Sequence, residues 1–235
     1  MRTGNLIATA MLVSLTALAP AGAADIEGTV VIQHKLTKHR VTAPSSSYER
    51  GVAVELAAGQ ENDPLSFERM RVVIYVEGEI PSTPLTATME QKNRRFVPDT
   101  LVIPAGSAVS FPNLDPIFHN VFSLSKPKTF DLGNYAKDQT RTVTFPKPGI
   151  VFVDCHLHPN MAAVIVVTPN QWSTKADAAG RFTLPGLPAG RYTLVAWHRA
   201  AGFFRQNVRL PEDGAATVQF LIPLAETGAK MVAQR

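Results

Sequence analysis

The chain has 235 residues, 45% of them hydrophobic and 18% charged, with a formal net charge of +4. That length suits one large or two ordinary globular domains. The slight, scattered charge excludes the concentrated basic stripe of a nucleic-acid binder, and a single cysteine excludes an intramolecular disulfide framework.

In chain order, Arg2 is the only charge before Asp25, Leu6–Leu18 is an apolar stretch, and Ala21-Gly-Ala23 is a small-residue cleavage site. Residues 1–23 therefore read as a secretory signal peptide cut after Ala23. The apolar run is short for a membrane anchor, and no later segment holds the roughly 18 uninterrupted apolar residues that a spanning helix needs. The expectation is an exported periplasmic protein with no transmembrane span after cleavage. In such a compartment a lone thiol is a liability. It is then a buried inert group, half of an intermolecular disulfide, or a metal ligand.

Beyond the leader the chain reads as all-β. Strand-like runs occupy Ile26–Ile32, Arg71–Val76, Thr100–Ile103, Ala108–Phe111, Arg141–Phe145, Ile150–Val153, Ala162–Val167, Arg181–Leu184, Arg191–Trp197 and Thr217–Ile222. They are rich in Val, Ile, Thr and Phe, and Pro, Gly or Asn punctuates them. The densest basic stretch, His34-Lys-Leu-Thr-Lys-His-Arg40, reads as a solvated loop, with a docking site for an acidic protein as its rival. Ala43–Met70 reads as a surface excursion without assigned function.

Two denser patterns set the expected boundaries. The later one, Asp177 to Leu194, has the form D-x-x-G-R-F-x-L-x-x-L-P-x-G-x-Y-x-L, a hairpin unit by its turn chemistry. It resembles the carboxypeptidase regulatory-like, or transthyretin-like, β-sandwich. That resemblance implies a first strand with an I-x-G-x-V signature, which Ile26-Glu-Gly-Thr-Val30 fits far upstream. The expected division is an N-terminal β region at 24–84, a central domain at 85–168, the transthyretin-like domain at 169–225 and a tail at 226–235. Either the central domain is inserted into the other, with connections near Pro84 and Pro169, or the two stand in tandem.

The central pattern carries the chemistry. Cys155 ends a strand, His158 and Met161 follow at C-x2-H-x2-M spacing, and His119 lies just after another strand and a Pro-containing loop. A short loop anchored by strands can turn three side chains towards one point, and His119 can complete the set. Alone, His119 is an ordinary loop histidine, Met161 a core methionine and Cys155 a buried thiol. Together a thiolate, two imidazoles and a thioether form the His2Cys set with a weak axial Met that suits blue copper. Zinc is the main rival, although thioether is a poor ligand for it. Calcium and magnesium want oxygen donors that the loop lacks.

Phe96 to Val167 resembles a cupredoxin of the plastocyanin and amicyanin type. The matching motifs are F-x-P-x-x-L-x-x-P-x-G from Phe96 to Gly106, V-x-F-x-N from Val109 to Asn113, H-N-V from His119, and P-G-x-V-x-V-x-C-x-x-H-x-x-M from Pro148 to Met161. The resemblance implies a Greek-key β-sandwich with one type 1 copper held by His119, Cys155, His158 and Met161. It also implies that Asn120 tethers the cysteine loop and donates its backbone N–H to the sulfur. Leu157 stands where such loops commonly have Pro, so its N–H is available for a second bond to the sulfur, which would raise the potential. Strand alternation turns His156 away from Cys155, as a surface residue.

The expected function is one-electron transfer with a redox protein such as a c-type cytochrome or dehydrogenase, and not catalysis. A multicopper oxidase needs, by family resemblance, about eight further histidines, and only four of the six remain. Nitrite reductase needs interdomain ligands that no motif here supplies. The other readings are a copper-binding or scaffold protein of the cell envelope without a redox role, and a zinc module.

Overall fold

The computed structural model describes residues 23–36, 63, 65–78, 80–212 and 214–222. The expected leader up to residue 22, most of the 43–70 excursion and the tail lie outside the described residues. Among the described residues, seventeen strands and one four-residue helix form an all-β architecture. No helix among the described residues is long and apolar enough to cross a membrane.

The chain opens with β1 (Ala23–Ile32), the helix α1 (Ser66–Arg69) and β2 (Val73–Val76). There follow β3 (Thr86–Thr88), β4 (Glu90–Lys92), β5 (Arg95–Val97), β6 (Thr100–Pro104) and β7 (Ala108–Pro112). Next come β8 (His119–Ser125), β9 (Lys128–Tyr135), β10 (Thr140–Thr144), β11 (Gly149–Asp154) and β12 (Ala162–Thr168). The last are β13 (Ser173–Lys175), β14 (Arg181–Pro188), β15 (Gly190–His198), β16 (Gly202–Leu210) and β17 (Ala216–Ile222).

Strands near the two ends of the described chain share one sandwich. One sheet has the order β14-β1-β17 and the other β13-β2-β15-β16. Residues 26, 28, 30 and 32 of β1 face inward, as period-two alternation requires, and Ile26, Val30 and Ile32 meet Leu184, Phe220, Ile74 and Leu194 in one core. β1 pairs antiparallel with β14 and parallel with β17. The Asp177–Gly180 turn locks against this strand: Val30 donates its N–H to the Gly180 carbonyl at 2.6 Å. Gly180 is needed there, because φ is +85° and a Cβ would sit 2.3 Å from the Val30 oxygen.

The intervening strands form a second, central sandwich. Its sheets run β10-β7-β3 and β6-β12-β11-β8-β9, with the β4–β5 hairpin beside them. Phe111, Phe145, Tyr135, Val121, Val151 and Ile165 fill its core. β12 is apolar without alternation, Ala-Ala-Val-Ile-Val-Val, because both of its faces are covered. Ala163, Ile165 and Val167 face the central core, while Val164 and Val166 pack on Val73 and Trp197 of the terminal sandwich. An Arg71–Asp99 ion pair also joins the two sandwiches.

Behind Trp197, the terminal sandwich holds a polar pair. His198 and Glu68 are both wholly buried, 3.2 Å apart between Nε2 and Oε2. The other Glu68 oxygen accepts the Leu36 N–H. The sequence marks His198 as an ordinary histidine, and it is not part of the His119, Cys155 and His158 cluster of the central sandwich.

Candidate metal centre

Four loops meet at one end of the central sandwich. His119 is the first residue of β8, delivered by the loop Asn113–Phe118. Cys155 follows β11 directly, and His158 and Met161 lie before β12 begins at Ala162. The segment is pinned by two backbone bonds, Met161 N–H to the His158 carbonyl at 2.9 Å and Cys155 N–H to the Met161 carbonyl at 3.2 Å. Strand ends thus fix Cα positions at both sides of a short loop, which leaves its side chains little freedom.

Three donors converge there. His119 Nδ1 lies 3.1 Å from His158 Nδ1 and 4.0 Å from Cys155 Sγ, and Sγ lies 3.6 Å from His158 Nδ1. An ion held about 2.0–2.3 Å from each donor sets nitrogen and sulfur ligands roughly 3.3–3.8 Å apart. The triangle therefore has the size of a metal site, and these three residues form the one such cluster among the described residues. His119 and Cys155 are buried, and His158 is partly exposed at the rim. Met161 is buried in the same core cluster as Cys155.

The second nitrogen of His119 is occupied by a residue that the sequence does not single out. Asp115 Oδ2 lies 2.8 Å from His119 Nε2. The same carboxylate accepts the backbone N–H groups of Asn93 at 2.6 Å and Arg94 at 2.8 Å. Asn113 completes the support: its Oδ1 accepts the Asp115 N–H, and its Nδ2 donates to the carbonyls of Ile117 and Tyr135. A carboxylate behind a histidine fixes the tautomer, so that Nε2 carries the proton and Nδ1 offers its lone pair. Burial acts to raise the Asp115 carboxyl pKa, but the N–H of Arg94, the His119 ring and the N–H of Asn93 outweigh it and hold it below the usual value. Burial, followed by the charges of His119 and Arg94, lowers the His158 imidazole pKa and favours its neutral form.

Around the sulfur, expectation and structure partly diverge. Asn120 donates its backbone N–H to Cys155 Sγ at 3.5 Å. Its side chain, expected to tether the cysteine loop, instead donates to Asp131 Oδ1 of β9 at 2.7 Å. The β8–β9 ladder is irregular here, between Asn120 opposite Asn134 and Phe122 opposite Asp131, and this brings the carboxylate within reach. Leu157, expected to offer a second N–H to the sulfur, makes no such bond; its side chain is exposed. His156 is a surface residue outside the donor triangle, its ring stacked on Phe122 at 3.6 Å between centroids.

No family model matches the chain, and no curated protein does. Among solved structures, a copper-containing nitrite reductase from Thermus scotoductus SA-01 is 26% identical over 37% of this chain, with a TM-score of 0.33. This chain spans only 23% of that reductase. A purple cupredoxin from Nitrosopumilus maritimus is 22% identical over 35% of this chain and 99% of its own, with a TM-score of 0.32. Amicyanin from Paracoccus versutus is 23% identical over 40% of this chain and 96% of its own, with a TM-score of 0.33.

Proposed function

We propose that the protein is an exported one-electron carrier with a single type 1 copper held by His119, Cys155 and His158, with Met161 as the weak axial ligand. The observation that carries this reading is the triangle of two imidazole nitrogens and one cysteine sulfur, 3.1 to 4.0 Å on a side, with His119 and Cys155 buried. A cysteine sulfur and two imidazoles suit copper or zinc, and a methionine buried in the same core cluster as Cys155 favours copper.

Copper bound there would supply one electron, taken up and released with its ligands nearly fixed. The chain's own residues supply the rest. Asp115 holds the His119 ring so that one nitrogen faces the site, and the buried His119 and Cys155 keep water out. The Asn120 N–H draws electron density from the sulfur, which favours the reduced state. His158, the ligand nearest solvent, is the place for an electron to leave or enter. The carrier would serve a partner such as a c-type cytochrome or a dehydrogenase in the periplasm, without catalysing a reaction itself. Thiolate coordination also accounts for a lone cysteine in an oxidising compartment.

Absorption and EPR spectra of the mature chain with Cu(II) test the reading. An intense visible thiolate-to-copper band that disappears in Cys155→Ser is the expected result. A colourless protein that takes zinc in preference would overturn it.

A further inference from the structure

Beside the donor triangle, the turn between β4 and β5 is built against its own conformational preference. Lys92 stands directly opposite Arg95, so the turn consists of Asn93 and Arg94 alone, with φ of 55° and 56°. Two-residue turns with both φ values positive take Asn-Gly by default, because glycine accepts the second position without strain. Arg94 occupies it instead. The hairpin also sets Lys92 across from Arg95, a like-charge pair that weakens a ladder. All three cations are exposed, and none of them forms an ion pair among the described residues. Strain and unbalanced charge kept in one turn point to a use for these side chains outside the fold.

The turn sits where a partner would meet the site. Its two N–H groups are bonded to Asp115, which also holds His119. Leu114 donates its N–H to the Gln91 carbonyl of this hairpin, and Leu114, Phe118 and Leu157 are 38%, 59% and 45% exposed on the two loops that carry the proposed ligands. Other charged groups at this end are Glu90 on the same hairpin, the mostly buried Asp115, Asp131 beside Asn120, and Lys137 and Asp138 in the turn that bonds to Asn113; within residues 92–95 themselves there are three cations and no anion.

We propose that Lys92, Arg94 and Arg95, beside Leu114, Phe118 and Leu157, dock a redox protein whose electron-exchange site is apolar at its centre and rimmed by carboxylates. The partner's electron role rests on the copper-carrier reading; the contact itself does not. Charges at the rim of such an interface raise the association rate and select partners, while the apolar centre excludes water.

Poly-L-glutamate, a dense carboxylate probe without redox chemistry, tests the contact directly. Titrated into the isotope-labelled full chain at low ionic strength, without added copper, it is expected to shift the amide signals of residues 92–95 and of Leu114, Asp115, Ile117, Phe118, Leu157, His158 and Asn160. The combined variant Lys92→Gln, Arg94→Gln, Arg95→Gln is expected to weaken binding about tenfold. Arg94→Gly, which the turn conformation favours, is expected to weaken it while leaving the fold intact. Shifts centred elsewhere, or binding unchanged in both variants, would overturn the proposal. So would tighter binding, through the same residues, to phosphatidylglycerol vesicles than to poly-L-glutamate, since that assigns the face to a lipid surface.

A second arm uses the copper-loaded protein. Ferricyanide accepts one electron from the reduced protein and becomes ferrocyanide; the triple variant is expected to slow this about tenfold at low salt. Oxidation by the cationic tris(phenanthroline)cobalt(III) should speed up in the same variant. A chain that binds poly-L-glutamate here but takes up no copper keeps the docking surface and removes the carrier reading. A copper-loaded chain that shows neither effect keeps the carrier reading and removes the docking surface.

Discussion

Asp115→Asn removes one negative charge from behind His119 with almost no change in side-chain volume. The carboxylate is 6% exposed and accepts three N–H donors, from Asn93, Arg94 and His119. An amide can serve two of these at most and must turn its own N–H groups towards the third. Buried donors left without a partner cost about 1–3 kcal/mol each, so a stability loss of roughly 2 kcal/mol is expected in urea unfolding. The effect on the site is separate. Loss of a group that orients a ligand histidine typically lowers metal affinity about 10- to 100-fold. A unit charge removed from roughly 6 Å, at an effective dielectric constant near 20, is worth about 2–3 kcal/mol, or about 100 mV. The carboxylate stabilises the more positive oxidation state, so the reduction potential should rise. Chelator competition gives the Cu(II) affinity and voltammetry the potential, and Asp115→Glu should restore part of both. If Asp115→Asn lost stability but kept wild-type affinity and potential, the carboxylate would be a brace for the β4–β5 turn and nothing more.

Gly180→Ala should destabilise the terminal sandwich by about 2 kcal/mol or more, because a positive φ and a contact with the Val30 oxygen both oppose a Cβ; a wild-type denaturation midpoint would contradict the packing described. Burial, more than the charge of Arg71, holds the His198 pKa below 6.5, while Glu68 pulls it upward. The unfolded chain titrates near 6.5, so below that pH it binds more protons than the folded state. Stability is therefore greatest above pH 7 and declines as pH falls through the folded-state pKa. The melting temperature should drop between pH 7 and 5, with a shallower slope in His198→Gln; equal slopes would count against it. Leu157→Pro deletes an N–H that does not reach the sulfur, so the reduction potential should stay as in the wild type. A lower potential would mean that the bond forms once copper binds.

The cluster of His119, Cys155 and His158 was readable from the sequence because two of its members sit in one short loop and their chemistry is scarce elsewhere in the chain. The buried strands were readable for a related reason: runs such as Ala162–Val167 have too little polarity to be anything else. Edge and hairpin strands were not. Glu90–Lys92 and Arg95–Val97 form within Glu-Gln-Lys-Asn-Arg-Arg-Phe-Val, where backbone pairing and a pair of left-handed residues decide the conformation. The strand His119–Ser125 was absent from the strand-like runs because its alternate positions Asn120, Phe122 and Leu124 go from buried to 80% exposed and mix polar with apolar. Asp115 was invisible because its partners include backbone N–H groups 21 and 22 residues away, and beside Pro116 it looks like any turn aspartate. The Glu68–His198 pair is hidden by still greater separation, and a four-residue helix has no periodicity to detect. Asn120 shows the limit of resemblance: its backbone does what the family pattern implies, while its side chain follows the local geometry of β9.

The pairing of β1 has a bearing on how the chain is made. Ile26 lies opposite Ala216 in a parallel ladder, and Ser173 lies opposite Tyr75 where the chain rejoins the sheet it left. During synthesis, β1 emerges first and its partner β17 nearly last. The central strands pair only among themselves and can close before either. Closing the longer loop afterwards carries little extra entropy, since each doubling of length adds only about 0.6 kcal/mol. The greater exposure is chemical: an apolar strand waits with open hydrogen-bonding edges, the form most prone to pair with another chain. Removing β17 would strip the same strand in the finished molecule. Shortening the described chain at either end therefore opens one seam.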